Sequence, residues 1–266
     1  MSDLIDLPNP RSRWYADSRG RRAFLPFVLT LVVAGCSSGT PTPTPSAGSS
    51  AISQPTATPS AVTEVVCTPN AGDACVGPLA AGTHTSVLFA PQITFEVPAG
   101  WGNHADSAAE YVLFAPGGKP KASEFGALDW IAFEANVTLT PEGCDPQSPF
   151  DASKSATDIA AWMAGRSNLT TTSPRPVSVG GLTGLVLDVR LADNAPVECL
   201  PLPGVLLVHG LPPSNGYDQA ILAGTAMRFY FFDHGDDVLM IEIDDVSGGN
   251  RLDEFAAVLD TVSFGL

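Results

Sequence analysis

A run that cannot build a core divides this chain of 266 residues. Of the 27 residues from 37 to 63, 18 are Ser, Thr or Pro, and none is charged. The alternation Thr40-Pro41-Thr42-Pro43-Thr44-Pro45 favours extended, polyproline-like backbone with no internal hydrogen bonds. Such a composition offers too little apolar surface to offset the entropy lost on ordering. Whatever folds must therefore lie on either side of it. Extended at roughly 3 Å per residue, the run would act as a spacer several nanometres long. Three segments follow: residues 1–35, a tether over 36–63, and a domain over 64–266.

The first segment has the charge pattern of an export signal. Five arginines, Arg11, Arg13, Arg19, Arg21 and Arg22, precede an apolar run from Ala23 to Ala34. Positive charge holds the leading end on the cytoplasmic side while the apolar run enters the translocation machinery. About a dozen apolar residues is too short for a stable span, which needs roughly 20. Small residues follow, and Val33-Ala34-Gly35-Cys36 resembles the bacterial lipobox at all four of its positions. The resemblance implies cleavage before Cys36 and acylation of its thiol. Several acyl chains, at about 0.8 kcal/mol per buried methylene, would hold the chain at a membrane. The run Arg21-Arg22-Ala23-Phe24-Leu25 resembles the twin-arginine export motif through Arg21, Arg22, Phe24 and Leu25. Gly20 and Pro26 stand where that motif commonly has Ser or Thr and Lys. The route stays open between twin-arginine and general secretory export.

The third segment, 64–266, is long enough for one domain with a sizeable core. The chain carries 13 basic and 28 acidic residues. Once the five arginines and three aspartates before Cys36 are removed, 8 basic and 25 acidic residues remain, a charge of about −17. Such a surface repels nucleic acid and anionic lipid and favours cationic or neutral ligands. Four cysteines follow Cys36: Cys67, Cys75, Cys144 and Cys199. An even number in an extracytoplasmic domain suggests two disulfides. Three pairings are open, and Cys67–Cys75 with Cys144–Cys199 is favoured. No C-x-x-C or H-x-x-x-H spacing points to zinc or thiol-redox chemistry.

Strand candidates are Thr85–Phe89, Ile93–Val97, Tyr111–Phe114, Trp130–Leu139, Pro176–Val179, Leu182–Leu191, Val205–Val208, Met227–Phe232, Val238–Ile243 and Thr261–Phe264. Each is rich in Val, Ile, Phe or Leu and bounded by turn formers. Asp233-His234-Gly235-Asp236-Asp237 reads as a hairpin loop between two of them. A helix is predicted over Ser155–Arg166, where Ser155 and Asp158 have capping-box spacing and Ile159, Trp162 and Met163 form an apolar stripe. A second is predicted over Arg251–Asp260, with Leu252, Phe255, Ala256 and Leu259 on one face. Runs of strands with two isolated helices argue an α+β fold: an antiparallel sheet with two flanking helices, stapled by disulfides.

The segments Thr94–Trp101 and Gly180–Gly184, with the hairpin Arg228–Ile243 followed by a helix and a closing strand, resemble a type of bacterial lipoprotein domain. Their order is similar to the sheet-with-flanking-helices fold of the photosystem extrinsic protein PsbP and its bacterial relatives. The resemblance implies a binding or assembly module and transfers no catalytic residue.

Chemistry-bearing candidates are sparse. Asp233, His234, Asp236 and Asp237 offer hard oxygen donors for a divalent cation but lack calcium-loop spacing, and a solvated turn explains them. Glu242 and Asp244 share one strand face that reads as wet, beside Asp245. The histidines His84, His104, His209 and His234 occur without a G-x-S-x-G elbow or H-E-x-x-H, so a hydrolase would need a site assembled in space. Trp101, Trp130 and Trp162 read as core. No cofactor is implied. The expectation is a lipid-anchored extracytoplasmic binding module whose partners are the membrane and an envelope protein or small ligand. An envelope hydrolase and a purely structural lipoprotein are the alternatives.

Overall fold

A computed structural model describes residues 76–116, 129–140, 154–193, 195, 204–214, 218–246 and 250–265. The signal residues Arg21, Arg22, Phe24 and Leu25, the tether, Cys36 and the cysteines Cys67, Cys75, Cys144 and Cys199 lie outside the described residues. The described residues belong to one compact unit.

The strands come in three groups. β1 (Gly77–Pro78), β4 (Gly102–Asp106), β5 (Glu110–Phe114), β6 (Trp130–Glu134), β8 (Leu169–Thr171), β9 (Arg175–Val179), β10 (Leu182–Leu191), β13 (Ala226–His234) and β14 (Asp237–Asp245) form the central sheet. Its order is β1-β4-β5-β6-β14-β13-β10-β8, with β9 also on β10. Two smaller sheets flank it. One is β2 (Gly82–Thr85), β3 (Gln92–Val97) and β15 (Ser263–Gly265), and the other is β7 (Val137–Leu139), β11 (Gly204–Gly210) and β12 (Asp218–Leu222). Every pairing is antiparallel. With helices α1 (Ala156–Gly165) and α2 (Leu252–Leu259), the fold is antiparallel α+β, as the pattern of strand runs requires.

Period-2 alternation sorts the central side chains onto two faces. Tyr111, Leu113, Ile131, Phe133, Ile241 and Ile243 pack with Ile93 and Phe95 of β3 and with Phe255 of α2. On the other face Leu187, Phe229, Phe231 and Met240 pack under α1 and against Val205, Leu207 and Ile221, while Val112, Trp130 and Ala132 form a separate small cluster. Among the described residues the sheet therefore carries a large apolar core on each side.

Local signals explain the element ends. Ser155 caps α1: its hydroxyl accepts from the Asp158 N–H while the Asp158 carboxylate accepts from the Ser155 N–H, the predicted capping box with Asp in place of Glu. Gly180 and Gly181 take positive φ, 58° and 92°, and close the β9–β10 hairpin. The central hairpin also anchors both helices. Asp233, near the end of β13, accepts from Ala156 N at 2.7 Å, and Asp245, at the end of β14, accepts from Arg251 N at 2.7 Å. Each carboxylate satisfies an N–H at a helix start that has no intrahelical partner.

Three expectations are corrected. The strand expected over Thr85–Phe89 ends at Thr85, because the N–H groups of Val87, Leu88 and Phe89 bond to the Asp106 side chain rather than to a neighbouring strand. The expected single strand Trp130–Leu139 is two, broken where Asn136 adopts φ 52°, so that β7 leaves the central sheet and pairs with β11. The strand face of Glu242 and Asp244 is not wet: Glu242 is fully buried and Asp244 nearly so.

Candidate functional site

Turns at one end of the central sheet meet around a pocket of about 540 Å³. The β13–β14 hairpin brings His234 and Asp237, which are register partners across its turn. Gly235 at φ 64° makes that turn, a left-handed conformation glycine adopts without a Cβ clash. The β4–β5 turn brings Ala108, the β6–β7 turn Ala135 and Asn136, the β2–β3 loop Ala90 and Pro91, and the segment after β11 Pro213. Leu239 and Gly265 complete the wall. Most of these groups are apolar.

The pocket is braced by hydrogen bonds from two sides. The buried carboxylate of Asp106 accepts from three successive backbone donors: Val87 N at 2.6 Å, Leu88 N at 3.0 Å and Phe89 N at 2.9 Å. Bonds from N–H groups to a charged acceptor are the stronger kind. They fasten the β2–β3 loop to the strand that leads into the Ala108 turn. Ser86 closes the base of the same loop, its N–H donating to Ile93 O and its hydroxyl accepting from Ile93 N, both at 2.9 Å. On the other side Asn136 Nδ2 donates to Pro212 O at 2.6 Å, and Leu211 N donates to Asn136 O at 2.8 Å.

The four acidic-hairpin candidates all fall at this end but are not gathered around one point. Asp233 turns to the start of α1, while Asp236 and Asp237 are exposed. Among the described residues no group of three or more His, Cys, Asp or Glu side chains is placed to hold a metal ion. The histidines are dispersed over four strands, β2, β4, β11 and β13. His84 is buried, stacks on Phe95 and bonds through Nε2 to Ala80 O at 2.7 Å. His104 lies against the Phe114 ring, and His209 is in register with Asp218 and Thr138. Among the described residues no Ser, Thr or Cys lines the pocket beside His234. The tryptophans serve packing. Trp101 meets Phe255 edge-on, Trp130 is buried, and Trp162 lies half-buried under the Arg166 guanidinium.

A second polar group lies inside the sheet. Glu134, Glu242 and Asp244 project from one face of β6 and β14, at 0%, 0% and 5% exposure. The Trp130 indole N–H donates to Glu242 Oε1 at 3.0 Å, and Gln219 Nε2 donates to Glu134 Oε1. Burial, then the nearby charges of Asp129 and Asp245, hold the Asp244 carboxyl well above the usual carboxylate range. Through Gln219 this row meets β12 of the β7–β11–β12 sheet.

Sequence reasoning missed Asp106, Asn136, Glu134 and Gln219. Asp106 has one visible cue, since it precedes the small-residue turn Ser107-Ala108-Ala109.

No family model matches the chain, and no curated protein matches it. Among solved structures the chain is similar to the cyanobacterial PsbP (CyanoP) of Synechocystis sp. PCC 6803. The identity is 11%, the likeness covers 72% of this chain and 98% of that chain, and the TM-score is 0.30. A likeness at that level carries neither fold nor function across. No helix among the described residues is long and apolar enough to cross a membrane.

Proposed function

We propose that this chain is a lipid-anchored extracytoplasmic binding module. Cys36 holds it at a membrane, residues 36–63 set it off from that surface, and the pocket at the turn end of the sheet receives a ligand. The pocket carries the reading. Separate connections converge on one concavity of about 540 Å³, and binding surfaces concentrate on loops fixed by a rigid scaffold. Its make-up of mostly apolar wall with a few polar groups is that of a binding site. Asn136, His234 and Asp237 supply those groups.

Two measurements test the two halves. Cys36→Ser is expected to release the chain from membranes on fractionation, and continued membrane association of that variant counts against the anchor. Ligand-observed NMR with a library of neutral fragments tests the pocket. Fragments are expected to bind the chain and to lose binding in Ala108→Trp, which fills the pocket from an exposed position. Fragment binding indifferent to that substitution overturns the pocket reading.

A further inference from the structure

The loop that leads into the pocket exposes two large apolar side chains and holds them still. Val87 and Leu88 are 43% and 50% exposed, while the next residue, Phe89, is 2% exposed. Their backbone is not free to turn these side chains inward. The Asp106 carboxylate takes the N–H groups of all three residues, and Ser86 closes the loop behind them. A buried carboxylate is thus committed to fixing two apolar groups in water, directly before Ala90 and Pro91 of the pocket wall. Exposed apolar groups rimmed by polar ones mark interaction sites, and a contact already held in its bound geometry loses less entropy on association.

Charge decides what the surface fits. The six basic residues among the described ones, Lys154, Arg166, Arg175, Arg190, Arg228 and Arg251, all lie outside the turns that line the pocket. Asp236 and Asp237 are exposed at its hairpin rim. The chain as a whole has a formal charge of −15. A second copy would bring the same charge, and an anionic lipid surface would be repelled, whereas a basic polypeptide is attracted and oriented.

We propose that Val87, Leu88 and the adjoining pocket form a docking surface for a basic segment of a partner protein. An apolar side chain of that segment enters the pocket, and its lysines or arginines meet Asp236 and Asp237. The proposal rests on the pocket reading above and adds the partner's class to it. Asp106 acts as a positioning residue, through the loop it holds.

The test uses the full chain with Cys36→Ser and three dye-labelled peptides, alternating lysine and leucine, glutamate and leucine, and lysine and serine, followed by fluorescence anisotropy. The lysine–leucine peptide is expected to bind. The glutamate peptide is expected not to bind, and the serine peptide to bind at least 10-fold more weakly. Val87→Ser with Leu88→Ser, and separately Asp237→Lys, should each weaken binding about 10-fold with the thermal midpoint unchanged. Asp193→Lys makes the same change of charge at an exposed position beyond the far end of β10, and is expected to change affinity less than about 2-fold. Equal losses from Asp193→Lys and Asp237→Lys would mean diffuse charge attraction and overturn the proposal. Loss of phosphatidylcholine vesicle binding in the Val87/Leu88 variant would make the loop a membrane contact and also overturn it. Fragment binding sensitive to Ala108→Trp, without peptide binding, would leave the pocket reading standing and remove only the partner.

Discussion

Strand β14 divides its side chains between two different interiors. Leu239, Ile241 and Ile243 enter a core built from Phe95, Phe133, Phe255 and other apolar groups. Met240, Glu242 and Asp244 enter the opposite side, Met240 among Phe229, Phe231 and the residues under α1, and the two carboxylates buried on the same face as Glu134 of β6. The first face gains by transfer of apolar surface from water, which makes no demand on direction. The second must satisfy each polar group individually, because a buried donor or acceptor without a partner costs more than a made bond returns. One face tolerates change in proportion to volume. The other depends on particular pairs.

The largest effect belongs to the apolar face. Phe133 is fully buried, with its ring 6.5 Å from that of Phe89. Phe133→Ala is expected to cost about 3–5 kcal/mol in denaturant titration, and a loss below about 1 kcal/mol would mean this side is not close-packed. The paired face breaks differently. Glu242→Ala removes the acceptor of the Trp130 indole N–H, with an expected loss of about 1–3 kcal/mol. Glu242→Gln keeps an acceptor and should recover most of it. Equal losses from the two substitutions would show volume, not pairing, at work there.

The paired face should add a pH slope through Asp244. Its carboxyl binds a proton more tightly in the folded chain than in the unfolded one, where the value is about 3.9. The folded state therefore holds the extra proton from that pH up to its own raised midpoint. Asp244 stabilises fully below this window and loses that contribution as pH rises through it, at no more than about 1.4 kcal/mol per pH unit. Asp244→Asn should remove that decline from a series of thermal midpoints across the window. A decline unchanged in the Asn variant would place its source elsewhere. The smallest effect concerns the helix lid on this face. Ser155→Ala removes the α1 cap and should cost about 1 kcal/mol, read as a modest fall in the thermal midpoint.

The two faces also differ in how far they can be read from the chain. Ile241 and Ile243 are apolar in a strand and are buried as such. Glu242 reads as exposed because carboxylates in strands usually face water, and the indole that meets it stands 112 residues earlier in the chain. Elements with local causes are readable: Ser155 with Asp158 at the start of α1, Gly180-Gly181 and Gly235 at hairpin turns. Elements with distant causes are not. β4, Gly102-Asn103-His104-Ala105-Asp106, has little strand propensity and forms because β1 and β5 pair with it. The candidate site shares that difficulty. His234 and Asp237 belong to a readable hairpin, but Ala90, Ala108 and Asn136 join them only through sheet order, and Asp106 reaches back 17 to 19 residues to hold its loop.

The outer edges of the central sheet are short and interrupted by proline. On one side β10 is shared by β8, three residues long, and β9, five residues long and carrying Pro176. On the other, β1 has two residues and ends in Pro78. A proline offers no N–H to a neighbour, and a run of two to five residues gives an incoming strand little to align with. If the chain is anchored as proposed, its copies are crowded side by side on a surface and meet one another far more often than in dilute solution. With edges of this kind they can collide repeatedly without one sheet extending into the next and seeding a fibre.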